Sequence, residues 1–343
     1  MKKRFCLLFV VFLAIAQYAR AADDTLKLIS EKQPLRGVVA EMTPTQVTLK
    51  QGPLDKKFSV KEIEWINYDD EPLQLASARR SFLAGKYPEA VTAINKVPTE
   101  EVKRPEIKQD VEFYKAMATA RLALAGGASV SEAGKALLEF EKKNPTSYHY
   151  LAVCEAIGDL FASIGKHDQA VIYYGKLAAA PWPVYRMKAD VAIGRALLAR
   201  KDYPGATQKF DAVLKQSASG TEADAQRLAA SLGMATATAG EGQTDEAVKA
   251  IDQVIDKADP EDGELLSRAY NAKGTALLTA GKKKEALMAF LHVDLLFSNY
   301  PEQHAEALAN LATLWKDVDQ AQRANLAAAT LRQRYPSSRW VKK

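Results

Sequence analysis

The chain has 343 residues, of which 48% are hydrophobic and 26% charged. That composition supports a packed core and excludes a disordered, collagen-like or mucin-like chain. The formal charge is +5, and the only two cysteines, Cys6 and Cys154, exclude a disulfide framework or a zinc-binding set.

The first segment, residues 1–21, has the pattern of a secretory signal peptide. Three basic residues at 2–4 precede an apolar run over 5–16, and Ala-Arg-Ala at 19–21 offers a cleavage site. The apolar run is too short for a membrane-spanning helix, which needs about 20 residues. We therefore expect cleavage after Ala21 and export to the periplasm or the outside of the cell, with a retained anchor as the alternative.

Cleavage of this leader would remove most of the net positive charge. It contains four basic and no acidic residues, so cleavage lowers the formal charge from +5 to +1. The mature protein is nearly neutral, and the basicity of the full sequence does not indicate a nucleic-acid or membrane-surface partner.

Residues 25–68 alternate apolar and polar side chains between turn residues, which predicts a small β module of four or five short strands. So few residues form a marginal core alone, and we expect the module to pack against the first helix that follows. The pattern Gly37-x-Val39 with Met42 to Leu49 resembles a small Sm-like or SH3-like barrel. That resemblance implies binding of a peptide or a nucleic acid. Because Lys56-Lys57 is the only basic pair of the module, binding of a nucleic acid or an anionic surface is kept only as an alternative.

Residues 71–336 contain one recurring helical unit. In its three clearest copies, glycines at 158, 194 and 274 are each followed after twelve residues by an alanine, at 170, 206 and 286. Fainter copies extend the series to seven, and the alanines of the seven second helices then lie at 90, 133, 170, 206, 247, 286 and 324. Glycines five residues before such alanines predict helix ends in the left-handed conformation.

This unit resembles the tetratricopeptide repeat, whose pattern is L-G-x-x-Y, then A-x-x-x-F, then Pro. The resemblance implies a mainly α protein, a right-handed α-solenoid of about seven helix hairpins, preceded here by the β module. Residues 337–343 are expected to be a polar C-terminal tail. The alternative is a set of antiparallel helices without a regular superhelix.

No catalytic motif is found in the sequence. His149, His167, His292 and His304 lack metal-ligand spacing and are expected to be solvated or to cap helices. Residues 126–136 only superficially suggest a phosphate-binding loop and predict a turn between helices instead. We expect no enzyme activity, no cofactor and no metal, and a cell-envelope enzyme or enzyme accessory subunit remains the alternative.

A tetratricopeptide-like array implies a binding groove along the first helices of its hairpins. We predict that this groove holds a peptide or protein segment and changes from acidic to basic along the array, with arginines binding carboxylates. The candidate residues are Glu155, Asp159, Lys188, Arg195, Arg227, Arg268 and Asn271. The alternative is an ordinary solvated helix face.

Overall fold

A computed structural model describes residues 23–342, so the predicted signal peptide and its cleavage site lie outside the described residues. The described chain begins with five strands: β1 (Asp24–Leu28), β2 (Leu35–Met42), β3 (Gln46–Gln51), β4 (Leu54–Ser59) and β5 (Ile63–Asn67). They form an antiparallel sheet of order β4-β3-β2-β1-β5. A short 3-10 helix, Val60–Glu62, connects β4 to β5.

Fourteen α-helices follow the sheet in residues 23–342, and successive helices pack as antiparallel pairs. They confirm the predicted solenoid of about seven hairpins. The first helices of the pairs are α1 (Leu73–Leu83), α3 (Pro105–Leu124), α5 (Tyr150–Ser163), α7 (Pro183–Ala199), α9 (Thr221–Gly240), α11 (Gly263–Thr279) and α13 (Pro301–Asp317). The second helices are α2 (Tyr87–Ile94), α4 (Val130–Lys143), α6 (His167–Ala178), α8 (Tyr203–Leu214), α10 (Thr244–Lys257), α12 (Lys283–Leu296) and α14 (Ala321–Arg334).

The predicted repeat register agrees with the helix pairs. All seven repeat alanines lie in the second helices, and each is at most 1% exposed. Of the residues five positions before them, Gly85, Gly165, Gly242 and Gly281 have positive φ angles, as do Lys201 and Asp319. The same left-handed turn therefore closes six of the seven hairpins, twice without the glycine that it favours.

The glycines inside the first helices permit close helix packing. A Cβ atom on Gly158 would lie 2.5 Å from the Tyr174 ring, and one on Gly274 would lie 2.7 Å from the Phe290 ring. In the middle of the array, the Phe210 ring lies between Gly194 and Gly233, with added Cβ atoms 2.6 and 2.3 Å away. Each aromatic ring of a second helix thus occupies the space that a side chain would need.

The β module shares one hydrophobic core with the first helices. Leu26, Val47 and Ile66 from the sheet are fully buried in the same cluster as Leu75 and Ala78 from α1. This confirms the expectation that the module packs on the first helix, because the sheet alone has too few apolar residues to form a core.

Buried ion pairs join the same two parts. Asp24 is 0% exposed, and its carboxylate accepts hydrogen bonds from Arg104 at 2.6 and 2.8 Å and from the backbone N–H of Val39 at 2.7 Å. Nearby, the buried Arg79 pairs with Glu71 at 2.7 Å and with Asp110 at 3.1 Å. Charges buried in this way require their partners, so the junction is held in one arrangement.

Two of the four histidines differ from the expectation of solvated or capping positions. His149 is 6% exposed, stacks on Phe113 at a ring distance of 3.5 Å, and contacts Asp110 through Nε2 at 2.9 Å. His304 is 2% exposed and joins Asp294 to the Tyr335 hydroxyl. Both rings are buried because a carboxylate is available to satisfy a ring nitrogen inside the core.

The buried His149 predicts a stability that depends on pH. Burial lowers its pKa, and the contact with Asp110 opposes this effect only in part. The unfolded chain therefore binds a proton that the folded chain does not, and stability falls as the pH drops below the ordinary histidine pKa of about 6.5. We expect the free energy of unfolding to fall between pH 7 and 5 by up to about 1.4 kcal/mol per pH unit.

Urea denaturation at several pH values checks this expectation. The His149→Gln variant keeps a donor for Asp110 but cannot bind the proton, so its stability should depend much less on pH. A smaller dependence should remain, because burial also lowers the pKa of His167. Identical pH slopes for the variant and the unmodified protein would show that His149 is not the group responsible.

Candidate functional site

The C-terminal end of the helical array returns to its second and third hairpins. A Cβ atom added to Gly126, in the turn between α3 and α4, would lie 2.0 Å from the carbonyl oxygen of Arg334 at the end of α14. The guanidinium of Arg339 donates to Nε2 of His167, the first residue of α6, at 3.3 Å. The last hairpin therefore touches the second and third, so that the solenoid completes a turn and encloses an inner face.

The C-terminal segment takes part in this closure. The sequence predicts a polar tail over 337–343, and the structure places a 3-10 helix there, Arg339–Lys342. Arg339 pairs with Glu302 at 3.0 Å, and the Trp340 indole N–H donates to the same carboxylate at 3.2 Å. Trp340 and Val341 also pack on the last hydrophobic cluster, which makes the segment part of the fold.

The inner face brings together charged side chains from distant hairpins. Arg195 of α7 lies close enough to Arg268 and Glu264 of α11 for their charges to alter its pKa. A complete hairpin separates these two helices in the chain, so the side chains face each other across the inside of the superhelix. Asp159 of α5 and Glu302 of α13 lie within the same electrostatic range of Arg268.

Two of the predicted residues form a salt bridge on this face. Lys188 of α7 pairs with Glu155 of α5 at 2.8 Å. Burial lowers the pKa of Lys188, but the charge of Glu155, its hydrogen bond to Lys188 and the charge of Asp159 together outweigh this effect, so the net pKa is raised. The pair therefore links neighbouring hairpins, and Lys188 stays charged at neutral pH.

A second pair occupies the opposite side. Arg268 contacts Glu264 at 3.0 Å, and the charge of Arg268 lowers the pKa of Glu264. The side-chain oxygen of Gln303 of α13 also accepts from Arg268 at 3.0 Å. Asn271 is only 2% exposed and donates to the backbone carbonyl of Gln303 at 2.9 Å, so it connects α11 to α13.

Arg227 is placed outside this set. Its guanidinium donates to the backbone carbonyls of Gln216 and Ala218 and pairs with Asp224 at 2.6 Å. These bonds hold the loop between α8 and α9. Because its donors already have acceptors, Arg227 supports the fold of this loop.

Asp159 of the inner face lies within electrostatic range of two arginines, Arg121 and Arg195. Its Oδ1 accepts from the Tyr174 hydroxyl at 2.9 Å. Burial raises its pKa, Glu155 raises it further, and Arg121 and Arg195 act in the opposite direction. Acidic and basic groups therefore alternate around the face, whereas the sequence predicted a change from acidic to basic along the array.

Sequence reasoning missed three charged members of this face, Arg121, Glu264 and Glu302. Arg121 lies 38 residues before Asp159, and Arg195 lies 36 residues after it, so the repeat spacing contained the signal for Arg121. Glu264 was missed because it lies in the first turn of α11, four residues before Arg268, where the two residues look like an ordinary ion pair on a helix surface.

Within residues 23–342, no group of three or more His, Cys, Asp or Glu side chains is arranged to hold a metal ion. The same residues contain no helix that is long and apolar enough to cross a membrane. No family model matches the sequence, and no curated protein matches it significantly.

Solved structures with a similar fold are found. A tetratricopeptide repeat protein from Parabacteroides merdae is 16% identical with a TM-score of 0.53, over 79% of this chain and 96% of that one. The apo form of RapI is 14% identical with a TM-score of 0.54, over 79% and 98% of the two chains. A Rap protein complexed with Competence and Sporulation Factor is 12% identical with a TM-score of 0.54, over 78% and 76%. These likenesses show a tetratricopeptide-type fold.

Proposed function

We propose that this chain, a tetratricopeptide-like solenoid by fold, is an exported, non-catalytic interaction protein that holds an extended peptide or protein segment on its inner face. The observation that carries the proposal is the meeting of charged side chains from α5, α7, α11 and α13 inside one closed turn. Export is inferred from the leader at residues 1–21 and a scaffold role from the fold. We propose no nucleic-acid partner.

The shape of the turn supports an elongated partner. The side chains that face inward come from helices of several hairpins, so an occupant that contacts them all must extend along the array. A protein of similar fold, a Rap protein, has been solved in complex with Competence and Sporulation Factor. Affinity would then come from a few inner side chains rather than from the whole surface.

Site-specific cross-linking tests where a partner binds. A photo-reactive residue at Thr275, exposed on α11 one turn beyond Asn271, faces the inside, whereas one at Met288 of α12, 55% exposed, faces outward. Residues 22–343 with either label are incubated with a library of random 12-residue peptides. We expect cross-linked peptides at Thr275 and few at Met288. Equal labelling at both positions, or none, would overturn the proposal.

A further inference from the structure

The charged groups of the inner face divide into paired and unpaired members. Lys188 is paired with Glu155, and Arg268 with Glu264. Arg339, which belongs to the C-terminal closure, is paired with Glu302. These side chains satisfy one another and need no ligand.

Two arginines of this face have no such partner. Among the described residues, the guanidinium groups of Arg121 and Arg195 make no hydrogen bond and no ion pair, although each lies within electrostatic range of Asp159. Asp159 directs its Oδ1 to the Tyr174 hydroxyl instead. Each guanidinium carries five N–H donors, and here none of them is satisfied by a protein acceptor.

The surroundings of Arg195 make a guanidinium without an acceptor unfavourable. Its residue is only partly exposed, burial lowers its pKa, and the nearby Arg268 lowers it further. Removing water from a guanidinium without providing another acceptor costs free energy. A ligand that supplies an anionic acceptor offsets that cost, and a planar carboxylate fits the guanidinium donors in a bidentate pair.

We propose that Arg195, assisted by Arg121 across Asp159, binds a carboxylate group of the partner segment. The inner face therefore selects a peptide with an acidic group, and α3, α5 and α7 provide the site that receives it. This inference rests on the proposed function, because it names the chemistry of the segment held on the same face. Asp159 limits the affinity, since its own charge repels an incoming carboxylate.

Peptides selected on the unmodified protein test the site. We expect Asp or Glu at one constant position, and replacing that residue by its amide should weaken binding at least tenfold. On the Arg195→Ala variant, the acidic peptide and its amide should bind equally. The Asp159→Asn variant should bind the acidic peptide more tightly. Comparing the binding of the same peptide with a free and with an amidated C-terminus shows whether the bound carboxylate belongs to a side chain or to the C-terminus.

A matched variant controls for general charge. Arg186 is exposed on α7, nine residues or about two and a half helical turns before Arg195, and it therefore lies on the opposite side of the helix. Arg186→Ala should leave binding unchanged. Circular dichroism verifies that every variant folds. If peptides cross-link at Thr275 but the acidic peptide and its amide bind equally to the unmodified protein, the carboxylate site is wrong and the interaction function stands. If no peptide binds, both proposals fail.

Discussion

Replacing Arg79 by alanine is expected to lower the free energy of unfolding by about 3–5 kcal/mol, because it leaves buried carboxylates without their cation. The Arg79 side chain is 3% exposed and those of Glu71 and Asp110 are 6% and 1% exposed. Its guanidinium also donates to Asn67 at the end of β5. The substitution thus disconnects the β module, α1 and α3 at once.

Arg80→Ala is the matched control. Arg80 is the next residue of α1 and is exposed, so its replacement should change stability by no more than about 0.5 kcal/mol. Urea denaturation measures both variants, and hydrogen exchange of the β5 and α1 amides shows whether the loss is local to the junction. Similar stabilities for the Arg79 and Arg80 variants would mean that the buried pairs do not hold the module in place.

Gly233→Ala should destabilise the protein by about 1–3 kcal/mol through overpacking. At an open helix position, replacing glycine by alanine would instead raise the free energy of unfolding by about 1 kcal/mol. The sign is reversed because the new Cβ atom would lie 2.3 Å from the Phe210 ring, which is fully buried and is confined on its other side by Gly194. The ring cannot move away without displacing α7.

Two further variants isolate this cause. Gly175 lies in α6 with nothing within 4 Å of an added Cβ atom, so Gly175→Ala should stabilise the protein by about 0.5–1 kcal/mol. In a Phe210→Leu background the cost of Gly233→Ala should shrink, since the smaller side chain leaves room. Thermal or urea unfolding gives the values, and a stabilising effect of Gly233→Ala would refute the packing argument.

The repeat architecture could be predicted because its signals are local. The twelve-residue step from small residue to alanine, and the left-handed positions before the second helices, all act within about 40 residues of chain. The alternation of apolar and polar residues over 25–68 is also a local signal, and it predicted the strands of the β module. Lys201 and Asp319 show its limit, because they take a glycine conformation without a glycine signal.

The candidate site was predictable only in part. The resemblance led to all seven candidates, of which Glu155, Asp159, Lys188, Arg195 and Arg268 lie on the inner face. Asn271 is buried and Arg227 binds a loop, because side chains on a helix face can be taken up by neighbouring backbone groups that the spacing does not reveal. The buried positions of His149 and His304 depend in the same way on carboxylates supplied by other segments.

The sequence by itself determined the helix hairpins, their number and register, the β module and the expected export signal. Tertiary structure alone decided that the array closes, that Arg339 reaches His167, and that Arg195 faces α11 without an acceptor of its own. The physical reason is that curvature accumulates from a small rotation at each hairpin interface. Which distant side chains meet depends on the sum of those rotations, and no local pattern in the chain specifies that sum.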